Sequence, residues 1–92
     1  MTGLSQRSSD IRRAIIGFED RIDQMHIEFT KYHLGEEQRM PDWESLSEEL
    51  VVFSRRKIFE VELSRQLERI MYKFQNRKKI WLKWVEEVHG IS

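Results

Sequence analysis

Two carboxylate–imidazole pairs stand at helical spacing in this sequence, Asp23-x-x-His26 and Glu86-x-x-His89. Residues three apart share one face of an α-helix. Helix bundles that hold paired metal ions use such pairs, turned inward and joined by further carboxylates. The neighbouring residues argue against that use here. Ile22 and Trp84 occupy an apolar stripe, which leaves Asp23, Glu86 and His89 on the outward side. The pairs therefore read as solvated surface, and neither a metal nor another cofactor is expected. His26 and His33 flank the stripe as rim residues, where an imidazole at an interface can respond to pH.

Other catalytic chemistries find no footing. The chain has no cysteine, which removes thiol catalysis, disulfides and Cys-ligated zinc together. Its four glycines are isolated, so no loop is built to cradle phosphate. No Ser-His-Asp arrangement can be assembled. The expectation is a protein that is not an enzyme.

A second kind of chemistry lies in residues 73–84, KFQNRKKIWLKW, which carry bases and large hydrophobes and no acid. Arg77, Lys78, Lys79 and Lys83 form a candidate basic patch. Such a patch can dock on an acidic surface of another chain, lie on an anionic membrane or touch nucleic-acid phosphates. Net charge decides little: 16 Lys and Arg balance 16 Asp and Glu. The plainest reading, an ordinary helix with a buried face and a basic solvent side, ranks first. Among the functional readings protein docking leads, because a nucleic-acid-binding domain usually carries a basic surplus. The charges are nonetheless segregated. Residues 36–50 hold six acids and one base, and residues 51–92 hold ten bases and five acids.

These side chains must be positioned by helices. Ile11, Ile15, Phe18, Ile22, Met25, Phe29 and Tyr32 follow one another in alternating steps of four and three. That 3.5-residue repeat places them on one narrow helical stripe, a seam that other helices must cover. The spacing recurs at Leu63, Leu67, Ile70 and Phe74, then at Trp81, Trp84 and Val88, with Arg77 intruding once. Arg77 is expected to pack its stem while its head reaches water.

The reading is an all-α helical hairpin. Residues 1–8 form a loose, flexible N-terminal tail, and residues 9–92 form a single domain. Ser8 or Ser9 caps a first helix over 9–34, which Gly35 ends. After a loop and Pro41, Asp42 or Ser45 starts a second helix over 42–89, with Ser45 and Glu48 spaced as a capping box. From Asp42 to His89 there is neither Gly nor Pro, so one helix about 70 Å long is expected, with its continuity through residues 54–60 left open. Its stripe is imperfect: extending Trp43, Leu46, Leu50 and Phe53 brings Lys57 or Glu60 into the seam, which marks a change of register or partner. Phe59, Val61 and Leu63 alternate as a strand would, but strong helix formers flank them.

A short helix cannot cover a long one. Phe74, Trp81, Trp84 and Val88 would be left bare, and each large apolar side chain gains about 1.5–3 kcal/mol on burial. Self-association into a coiled-coil-like bundle is therefore expected, a homodimeric four-helix bundle being the simplest closure. The expected function is a non-enzymatic interaction module: an assembly factor, adaptor or small helical chaperone. Its anchors would be Phe74, Trp81, Trp84 and Val88, taking a partner helix or an acidic surface. The alternative is a nucleic-acid-binding helical dimer that uses the basic C-terminal half. The polar start and the lack of cysteine point to the cytoplasm.

Overall fold

The apolar stripe of the first helix is covered within the same chain. The computed structural model describes residues 3–90 and contains three helices, α1 (Gly3–His33), α2 (Trp43–Ser54) and α3 (Val61–His89). No strand occurs among the described residues, and Val61 and Leu63 are helical. Helix α1 begins at Gly3, upstream of the expected Ser8–Ser9 cap; residues 1, 2, 91 and 92 lie outside the described residues. Ser8 makes no cap. Its hydroxyl donates instead to Glu60 Oε1 at 2.8 Å.

The expected helix over 42–89 is broken, and the two-helix hairpin is a three-helix bundle. α2 ends at Ser54, whose hydroxyl donates to the Val51 carbonyl at 2.7 Å. The backbone N–H groups of Arg55 and Arg56 then tighten onto Val52 and Phe53. Residues 55–60 leave the helix, and Glu60 enters α3 from an extended conformation, φ −75°, ψ 122°. The cause is the register conflict. A straight continuation would carry Lys57 or Glu60 into the core, whereas reversal keeps both exposed and turns Leu63 and Leu67 inward.

The order of contacts fixes the directions. Ser8 meets Glu60, Glu19 meets Arg69, His26 meets Trp81 and His33 meets Glu87. Both partners advance together, so α1 and α3 lie parallel. α2 runs against them, with Phe53 beside Phe18, Glu49 beside Arg21, and Trp43 beside Lys78. The resulting rod measures 56 × 20 × 17 Å.

The loop between α1 and α2 follows sequence signals closely. Gly35, at φ 81°, lets its own N–H reach the Tyr32 carbonyl at 3.1 Å, while the Glu36 N–H reaches Lys31 at 2.8 Å. This is the Schellman arrangement that closes a helix through a left-handed residue. Asp42, not Ser45, caps α2: its carboxylate accepts from the Ser45 N–H at 3.1 Å and the Ser45 hydroxyl at 2.6 Å. Those bonds hold the Asp42 carboxyl below its ordinary range.

The core is the residue set that the spacing marks. Ile11, Ile15, Ile22, Phe29 and Tyr32 of α1 are buried with Leu63, Leu67, Ile70, Phe74 and Trp81 of α3. Leu46, Leu50 and Phe53 complete it from α2, and Phe18 and Met25 pack against its edge. The seam expected between chains is thus internal to one protomer. No described helix is long and apolar enough to cross a membrane.

Candidate functional site

The expected anchor face is largely closed. Phe74 is 1% exposed and Trp81 0%. The Trp81 indole stacks on Phe29, with centroids 5.0 Å apart, and meets the edge of Phe74 at 5.9 Å. Trp84 is half-buried, and only Val88 remains open. The premise that a lone chain leaves these aromatics bare is overturned, because the chain folds back to supply its own third helix.

All three histidines gather at the end of the rod where α1 and α3 terminate. The Trp81 Nε1–H donates to His26 Nδ1 at 3.1 Å. Trp84 lies between two imidazoles, 5.6 Å from His26 and 4.7 Å from His33, nearly parallel to the latter. His33 Nε2 donates to Glu87 Oε1 at 2.8 Å, and Tyr32 Oη meets His89 Nε2 at 3.3 Å. Burial lowers the His26 pKa; Arg77 adds to the effect and Asp23 opposes it.

Asp23 and His26 of the first carboxylate–imidazole pair are engaged separately, and His89 of the second meets Tyr32. Asp23 binds Lys73 Nζ at 2.7 Å while His26 accepts from Trp81. Among the described residues no three His, Cys, Asp or Glu side chains cluster to hold a metal ion. A charge network fastens the middle of the rod. Lys73 also reaches Glu19 at 3.2 Å, and Arg69 joins Glu19 through two bonds of 3.2 and 3.3 Å. The Arg69 and Lys73 bonds hold Glu19 below the carboxylate range, and the bond that Lys73 donates to Asp23 raises the Lys73 pKa. Arg21 grips Glu49 with two bonds of 2.8 Å and raises its own pKa by doing so.

The basic patch behaves differently. None of Arg77, Lys78, Lys79 and Lys83 forms an ion pair among the described residues. Arg77 is half-buried and Lys78 lies over the Trp43 ring at 5.5 Å, while Lys79 and Lys83 face solvent.

The single most exposed large hydrophobe, Phe59, sits elsewhere, at the elbow between α2 and α3, whereas Tyr72 (71%) and Leu34 (64%) lie outside it. Phe59 is 87% exposed, and Val61 and Val52 are each 64% exposed. Beside Phe59, a groove of about 270 Å³ is lined by Ser8, Ile11, Ile58 and Leu63. Arg55, Arg56 and Lys57, all exposed, precede it. Sequence spacing gives Phe59 no site of its own; its signals are the stripe failing at Lys57 and Glu60 and the alternation of Phe59, Val61 and Leu63.

Comparison with protein-family models, with curated proteins and with solved structures gives no match.

Proposed function

We propose that the chain is a non-enzymatic protein–protein interaction module that works as a homo-oligomer in a cytoplasmic setting, and that its contact surface is the α2–α3 elbow. Phe59 carries the reading. A phenyl ring left 87% in water at the head of a helix forgoes about 1.5–3 kcal/mol that a partner's surface would recover. The three bases before it favour a partner with acidic flanks. A second copy offers such a flank in residues 36–50, with six acids against one base.

Sedimentation velocity at rising concentration tests this. The wild type is expected to gain mass with concentration, and Phe59→Ser and the double variant Arg55→Glu with Arg56→Glu to suppress the gain. A protomer mass at every concentration for the wild type overturns the proposal.

A second reading, nucleic-acid binding through α3, is favoured by the unpaired state of Lys79 and Lys83 among the described residues. It requires binding to DNA or RNA that weakens steeply with salt. A gel shift showing no complex at low salt removes it.

A further inference from the structure

The histidine cluster lies at the other end of the rod from Phe59, and its geometry is unequal in one respect. His33 Nε2 donates to a carboxylate, a bond that the imidazolium makes as readily as the neutral ring. His26 accepts, through Nδ1, from an indole N–H whose residue is fully buried. An imidazolium has no acceptor: both nitrogens then carry protons, and either orientation of the ring presents only N–H or C–H to Trp81. An indole N–H donates only, so it has no alternative role. We infer that His26 is an acid-sensitive latch, whose protonation releases Trp81 and opens the end of the bundle where α1 and α3 terminate.

The groups around His26 favour this outcome. From α3 it faces Trp81, Trp84 and Arg77, and the Arg77 charge opposes a second cation beside it. From its own helix it faces Asp23, the one acid that would welcome a proton, and that carboxylate is engaged by Lys73 at 2.7 Å. Contact with the Trp84 ring would favour a cation, but the planes are tilted by 31° and the same indole already stacks on His33. Burial acts in the same direction as Arg77 and holds the folded-state pKa below the ordinary imidazole value of 6.5. The sign follows: an unfolded chain takes up the proton first, so the contribution of His26 is complete above about 6.5 and is lost as pH falls through the folded value. Opening would uncover Trp81, Phe29 and Trp84, an aromatic surface unlike the elbow. The latch stands whether or not the elbow binds a second copy.

The test is urea unfolding at about pH 7.5 and about pH 5.5, a window that covers imidazole titration and stays above the carboxylates. Wild type is expected to show a lower urea midpoint at the acid pH. His26→Gln, whose amide oxygen can accept from the indole at both values, is expected to show equal midpoints. His33→Gln and His89→Gln are expected to keep the wild-type drop. A drop in His26→Gln as large as in wild type overturns the inference, as does a wild type with no drop. Should His26→Gln fail to fold, nuclear magnetic resonance on the wild type decides. Protection of the Trp81 indole N–H from exchange is expected to fall about tenfold for each unit by which the folded pKa lies below the unfolded one, following the titration of the His26 ring. Protection unchanged through that titration overturns it.

Discussion

The Trp81 indole and the Phe29 ring lie face to face, 5.0 Å apart and 7° from parallel, inside a single protomer. This pair joins α3 to α1 where the spacing alone suggests a surface awaiting another chain. Trp81→Ala is expected to destabilise the folded chain by about 3–5 kcal/mol, the usual cost of emptying a large core site. The loss should be the same at every protein concentration, as measured by urea unfolding followed by circular dichroism.

Phe53 and Phe59 are six residues apart and opposite in burial, at 7% and 87% exposed. Phe53 packs on Phe18 with centroids 5.3 Å apart. Phe53→Ala is expected to cost about 3–5 kcal/mol, whereas Phe59→Ser should stay within about 0.5 kcal/mol of wild type. Parallel urea titrations check the contrast, and equal losses would mean that the elbow is packed.

Two glycines should respond in opposite directions. Gly17 lies inside α1 with nothing within 4 Å of an added Cβ, so Gly17→Ala is expected to stabilise by about 0.5–1 kcal/mol. Gly35 is equally open, but its φ of 81° disfavours any L side chain. Gly35→Ala is expected to destabilise by about 1–2 kcal/mol through backbone conformation alone. Thermal unfolding of the two variants separates these effects.

Acid should loosen the middle of the rod by a second route. Arg69 and Lys73 hold Glu19 below its ordinary value of 4.5. Its contribution is therefore present above about 4.5 and disappears as pH falls through the lower folded value. Glu19→Gln is expected to flatten the decline in stability on acidification below about pH 4.5, by less than about 1 kcal/mol because solvent screens the group. Urea midpoints from about pH 5 to about pH 3 provide the measurement.

Much of this architecture was legible in the residues. The four–three stripe of α1 names its buried face, since Ile11, Ile15, Ile22, Phe29 and Tyr32 are all in the core. Gly35 ends the helix it was expected to end, and Asp42 supplies the cap it could supply. The break at residues 55–60 carries no local breaker, since helices are usually punctuated by Gly or Pro and neither occurs there; the stripe failing at Lys57 and Glu60 is its trace. The interruption comes from packing: two apolar stripes out of phase cannot both face one core along a straight rod. Without that turn, Phe74 and Trp81 fall on an open face and Phe59 on no site. The pairing of His26 with Trp81 spans 55 residues and has no local signature.

The bonds that join α1 to α3 link residues 50 to 57 positions apart. During synthesis α1 therefore leaves the ribosome with its greasy stripe bare, and the matching stripe follows only after some fifty further residues have been added. α2 arrives first and is too short to shield the whole length. For that interval α2 is the one covering partner that this stretch of chain itself supplies.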